Sequence, residues 1–93
     1  MFDRVLRRMQ ALVRASEYVV TLHGHEEMEA DGLTLYDVEH VILSGRIVER
    51  QRDQRTHEWK YLMEGETLDG DAAVVVSKIG PTSKLVLLTV FAL

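Results

Sequence analysis

Apolar positions along this chain change their spacing near residue 45, dividing it into a helical half and a stranded half. Val5, Leu6, Met9, Leu12 and Val13 recur at helical spacing, which predicts an amphipathic helix over 2–15. Arg4, Arg7, Arg8 and Arg14 are placed by the same wheel on its other face. Tyr18-Val19-Val20-Thr21-Leu22 is β-branched and aromatic enough for a strand. His23–Ala30 reads as a helix ended by Asp31-Gly32. Thr34 with Asp37 makes a capping-box-like start to a third helix. Val38, Val41 and Ile42 supply its buried stripe, and Gly45 its left-handed stop.

Beyond Gly45 the apolar period shortens to two, and strands are expected at 46–52, 57–64, 72–79 and 84–92. Asp53-Gln54-Arg55-Thr56, Glu66-Thr67-Leu68-Asp69-Gly70 and Gly80-Pro81-Thr82-Ser83 separate them with turn chemistry. Short connections between consecutive strands predict an antiparallel meander. The expected architecture is one α+β domain over 1–93, an amino-terminal helix followed by β-α-α-β-β-β-β, with an antiparallel sheet packed by helices. The apolar runs Ala72–Val76 and Leu85–Leu93 suggest that the last two strands are central or covered on both faces. Were the final strand an edge, its flat apolar character would favour pairing with another subunit. That run and the stripe of the first helix together predict a homodimer, with the helix or the last strands in its interface.

Composition narrows the function classes. The chain has 93 residues, no cysteine and a formal net charge of −4. Disulfides and zinc–thiolate sites are thereby excluded, and a reducing, cytoplasmic location is expected. The amino terminus lacks the apolar core of a signal peptide, and no apolar run is long enough to span a bilayer as a helix. The acidic balance argues against an extended nucleic-acid-binding surface but leaves room for a compact site. Arginines are also unevenly placed, with Arg46, Arg50, Arg52 and Arg55 crowded into ten residues.

Candidate chemistry centres on His23. A histidine at a strand-to-helix junction suits general acid–base work, and a helix amino terminus there can help hold a phosphate. The same histidine can equally cap its helix or fill a half-buried position. His23 and His25, with Glu26, Glu27 and His57, offer ligands for a divalent ion, but residues i and i+2 do not share a helix face. Strict alternation would put Arg46, Val48, Arg50 and Arg52 on one strand face, a phosphate clamp or a soluble edge. His57, Trp59, Tyr61 and Met63 read as the packed face of the next strand. Lys60 beside Arg50 across neighbouring strands would concentrate positive charge on a phosphate; the alternative is pairing of Lys60 with Glu49 or Asp53. Trp59 and Tyr61 can stack on bases or fill the core. No Gly-rich phosphate loop, Ser-His-Asp order or paired-carboxylate signature appears, and no cofactor is expected.

The ordered set His23-Gly24, Met28, Asp31-Gly32, Asp37-Val38, Gly45, Ile47-Val48-Glu49, Lys60-Tyr61 and Gly65 resembles a family of uncharacterised small proteins grouped with the RelE/BrnT-like toxin superfamily. The likeness covers about residues 18–92 and leaves the first helix outside. Glu27 stands where that pattern often has arginine. The resemblance implies a RelE-like fold and a toxin of a toxin–antitoxin pair, with RNA as substrate and an antitoxin protein as partner. The expected mechanism is metal-independent RNA cleavage with His23 as acid–base and with Arg50 and Lys60 on the scissile phosphate. The alternative is a non-catalytic protein-interaction domain or homodimeric module on the same fold.

Overall fold

The computed structural model describes residues 1–93. Its elements are α1 (Asp3–Arg14), β1 (Tyr18–Val20), α2 (Leu22–Asp31), α3 (Leu35–Ser44), β2 (Arg46–Arg52), β3 (Trp59–Glu66), β4 (Ala72–Ile79) and β5 (Leu85–Ala92). α2 and α3 start at the capping residues that their sequence offers. Thr21 Oγ1 accepts from the Gly24 N–H to cap α2, and Gly32 ends it in the left-handed region at φ 67°. Thr34 and Asp37 form a complete capping box on α3. Gly45 differs from expectation. It is extended, with φ −97° and ψ −172°, so left-handed geometry is not what it supplies. A Cβ there would stand 2.3 Å from the Glu64 carbonyl oxygen and 2.4 Å from that of Val41. The glycine is needed for close approach of α3 to β3.

The sheet is five-stranded in the order β1-β5-β4-β3-β2. β2 to β5 form the expected antiparallel meander. β1 corrects the wholly antiparallel expectation: it pairs parallel with β5, Tyr18 opposite Leu85 and Val20 opposite Leu87, so the sheet is mixed. β5 is therefore internal, which removes the premise that the last strand is a free edge.

All three helices contribute to one core. Met9 and Val13 of α1, Met28 of α2, and Val38, Val41 and Ile42 of α3 pack with Met63, Ala73, Val75, Leu85, Leu87 and Val90. α1 thus covers its own sheet rather than offering its stripe to a second subunit. The opposite sheet face, which by strand alternation carries Leu62, Val74, Val76, Val86 and Phe91, has no helix on it.

β1 is only three residues long, so the outer edge of β5 beyond Leu87 lacks a strand partner. α2 takes the strand's place with side chains. Glu27 Oε1 accepts from the Val90 N–H at 3.1 Å, and Asp31 Oδ2 from the Ala92 N–H at 2.8 Å. Arginine at position 27 could not accept that bond, which gives a structural reason for the glutamate. Glu27→Ala is expected to cost about 1–3 kcal/mol, because a half-buried N–H loses its acceptor. Glu27→Gln, which keeps an acceptor oxygen, should cost clearly less in urea unfolding. Equal losses would show that charge, not the bond to Val90, is what matters.

A candidate cleft between the first helix and the sheet edge

Two β-bulges decide which side chains meet. In β2, Ile47 is opposite Met63 while Glu49 is opposite Leu62, so Val48 is the extra residue. The faces of Arg46–Arg52 reverse at that point. Arg46 lies opposite Glu64, on the sheet face without helices. Arg50 and Arg52 lie opposite Tyr61 and Trp59, on the face that α1 covers. The expected single row of arginines is therefore split, one to one face and two to the other. In β5 the pairing shifts between Val76 and Ser77, and Leu88 is skipped. Thr21 Oγ1 donates to the Leu88 carbonyl there, at 3.2 Å, fixing the start of α2.

His23 stands exposed on α2, with Nε2 3.2 Å from Glu27 Oε1. It belongs to the β1–β5 end of the sheet, whereas Arg50 and Lys60 are on β2 and β3 at the far end. Strands lie about 4.8 Å apart, so three to four spacings, roughly 14–19 Å, separate them. Lys60 is opposite Gln51, on the other sheet face from Arg50, because the bulge at Val48 changed the register. The structure does not bring His23, Arg50 and Lys60 together. His25 is exposed on α2, and His57 lies at the opposite end of the sheet. No group of three His, Asp or Glu side chains is gathered in the molecule. Neither carboxylate named as an alternative for Lys60 pairs with it; Glu58 holds Lys78 instead, at 2.8 Å.

What the fold does bring together is different. Met1, Phe2, Arg4, Val5 and Arg8 overhang Arg50 and Tyr61 around a cavity of about 280 Å³. Beside it, Val5, Arg8, Arg52, His57, Glu58, Trp59, Tyr61 and Ile79 line a second of about 350 Å³. The Arg50 guanidinium lies 3.9 Å from the Trp59 ring centroid and that of Arg52 4.9 Å. Phe2 meets Tyr61 edge-on with ring centroids 6.1 Å apart, tying the start of α1 to β3. His57 sits in the left-handed region at φ 61°, in the turn that leads into β3.

None of the chain's eight arginines makes an ion pair, although acidic residues outnumber basic ones 15 to 11. Arg4 and Arg8 are also like charges at i, i+4 on one helix, an arrangement that costs a few tenths of a kcal/mol. Two cations on α1 thus face two on β2 across an aromatic floor, with only Glu58 as a nearby carboxylate lining the cleft, and that one is held by Lys78. The hydrogen bond from Lys78 keeps the Glu58 carboxyl below the usual carboxylate range. Such a cleft can hold an anion with planar groups attached. Periodicity placed Arg4 and Arg8 on the outer face of α1; their position over the sheet edge depends on how α1 is tilted, which periodicity does not encode.

Two other polar clusters have structural roles. Tyr18 donates to Glu39 Oε2 at 2.6 Å; burial, then that carboxylate, push its phenol up to about 12. Asp37 accepts from the Thr34 N–H and, through its other oxygen, from the Leu68 N–H at 3.1 Å, tying α3 to the β3–β4 turn. These bonds, that of Thr34 first, hold its carboxyl below the usual value of 3.8. A lowered native pKa means that the contribution is fully present above the unfolded value and is lost as pH falls through the native one. Wild type should therefore lose stability on acidification below about pH 5 more steeply than Asp37→Asn. Parallel unfolding curves from pH 6 to pH 3 would refute this.

The chain belongs to an uncharacterised family, domain of unknown function DUF4258, whose pattern matches residues 20–92. α1, with Arg4 and Arg8, lies outside that span. No curated protein and no solved structure matches the chain. No helix is long and apolar enough to cross a membrane.

Proposed function

We propose that this chain is a metal-independent endoribonuclease, the toxin of a toxin–antitoxin pair, acting at the cleft between α1 and strands β2 and β3. The observation that carries the reading is the convergence there of four arginines without carboxylate partners and two aromatic rings, in a protein of net charge −4. Localised cationic charge on an acidic molecule favours one bound strand over nonspecific coating by RNA. The ordered motifs from His23 to Gly65 resemble the RelE/BrnT-like toxins, and a RelE-like fold is part of the same proposal.

Arg50 keeps the phosphate-binding role expected of it, with Arg52 beside it in place of Lys60. The acid–base role falls to His57, the histidine that lines the cleft with Arg8 and Arg52. In this reaction His57 takes the proton from a ribose 2′-OH. The 2′ oxygen then bonds to phosphorus, the bond from phosphorus to the 5′ oxygen breaks, and that oxygen leaves with a proton returned from His57. The products are a 2′,3′-cyclic phosphate and a free 5′-OH. The arginines stabilise the charge that develops on the phosphoryl oxygens.

The test is incubation of the purified chain with end-labelled RNA in excess chelator, alongside induced expression in cells. Cleavage with cyclic-phosphate ends, and growth arrest relieved by Arg50→Ala, are expected. Soluble protein that neither cleaves nor arrests growth overturns the reading. A second reading, a protein-interaction module, is favoured by the sheet face that no helix covers, where Leu62, Val76, Val86 and Phe91 are half-buried. A homodimer would form through that face, not through α1 or an edge at β5. Sedimentation of a monomer at tens of micromolar would exclude it.

A further inference from the structure

The cleft has two compartments that share Val5, Arg8 and Tyr61. One adds Arg4 and Arg50, the other Arg52, His57 and Trp59. Resting on the reading of the cleft as an RNA site, we propose that these compartments hold two successive nucleotides of a single strand, with α1 supplying half of the phosphate contacts. Arg8 stands between the compartments and serves the phosphate that joins the two nucleotides. Arg4 with Arg50 holds the phosphate on one side, and Arg52 holds the one on the other.

The strand must be single because its bases have to leave their own stack to reach Tyr61 and Trp59. In a duplex the bases remain stacked on one another, and the aromatic floor would stay unused. Recognition by stacking and guanidinium contacts is tolerant of sequence, since every base presents a ring face. The helical half of this site precedes the span shared with the family. Ligand binding at this cleft is accordingly a property that α1 adds to the domain.

Trp59 is the only tryptophan and already carries Arg50 at 3.9 Å, so its fluorescence reports the cleft directly. The experiment titrates the full chain with 2′-O-methyl oligouridylates, which cannot be cleaved through the 2′ oxygen. The ligands are a 5′-phosphorylated mononucleotide, dinucleotide and hexanucleotide, and a duplex of matched length. Wild type should bind the dinucleotide about tenfold more tightly than the mononucleotide, and the single-stranded hexanucleotide about tenfold more tightly than the duplex. Arg4→Ala/Arg8→Ala, checked for fold by circular dichroism, should bind at least about tenfold more weakly. Its log–log salt slope should fall by about 0.7 for each phosphate contact removed. Arg7→Ala/Arg14→Ala, the control on the same helix, should match wild type. Equal binding of duplex and single strand, or an Arg4→Ala/Arg8→Ala variant that binds normally, overturns the inference. Because the ligands are not cleaved, binding can succeed even where the endonuclease reading fails. Conversely, RNA cleavage at unchanged KM by Arg4→Ala/Arg8→Ala would overturn this inference and leave that reading standing.

Discussion

Gly65→Ala is expected to lower stability by about 3 kcal/mol or more, at or above the top of the range typical when a core site is overpacked and its backbone must move. A Cβ at Gly65 would stand 2.2 Å from the Val41 carbonyl oxygen, 2.9 Å from its carbon and 3.0 Å from Gly45 Cα. All three are backbone atoms, so no side-chain rotation relieves the clash. The last turn of α3 must lift from β3, and Val41 and Ile42, fully buried above Met63 and Val75, lift with it. For a domain of this size each kcal/mol moves the melting temperature by about 4–8 °C, so a fall of at least about 12 °C is expected in a thermal scan. Gly70→Ala is the informative control. Its φ of 85° strains an alanine, but nothing lies within 4 Å of the new Cβ. A loss near 1 kcal/mol is expected there. Should Gly65→Ala cost no more than Gly70→Ala, α3 does not ride on β3 as closely as the structure has it.

The same pair of glycines marks what the sequence could and could not reveal. Helical spacing in Val5–Val13 and Val38–Ile42, and alternation after Gly45, are local properties, and the elements they predict are present within about two residues. The Thr34–Asp37 box was legible for the same reason: both partners lie within one turn. Gly45 was legible as a stop but not as a contact, since its neighbour Gly65 is twenty positions away. The parallel pairing of β1 with β5 joins the two ends of the chain, and nothing in Tyr18-Val19-Val20 names its partner. The bulge at Val48 did most to change the candidate site. Strict alternation through Arg46–Arg52 is a sound reading of a regular strand, yet one extra residue reverses every side chain after it. That single shift separated Lys60 and Arg46 from Arg50 and placed Arg50 and Arg52 against Trp59, under α1. Arg52 stays on the face of Arg50, as alternation put it, whereas Arg46 and Lys60 lie on the other face and Arg4 and Arg8 of α1 take their place.

His57→Ala is expected to reduce RNA cleavage by about 10²–10⁴-fold, the range for loss of a general acid–base group, while leaving the affinity for uncleavable RNA within about twofold. The expectation follows from position. His57 lines the compartment that contains Arg52 and Trp59, whereas His23 is paired with Glu27 on α2 at the other end of the sheet and His40 bonds the Glu66 carbonyl through Nδ1, at 2.7 Å. It is the histidine that shares a compartment with Arg8 and Arg52. Its left-handed backbone at φ 61° is one that histidine adopts more readily than most residues, so alanine there brings modest strain and not loss of the fold. His57→Asn, which tolerates the same backbone but carries no titratable ring, separates the two effects. If the imidazole moves the proton, His57→Asn should be as inactive as His57→Ala and as stable as wild type. Retained cleavage in His57→Asn would remove His57 from the reaction.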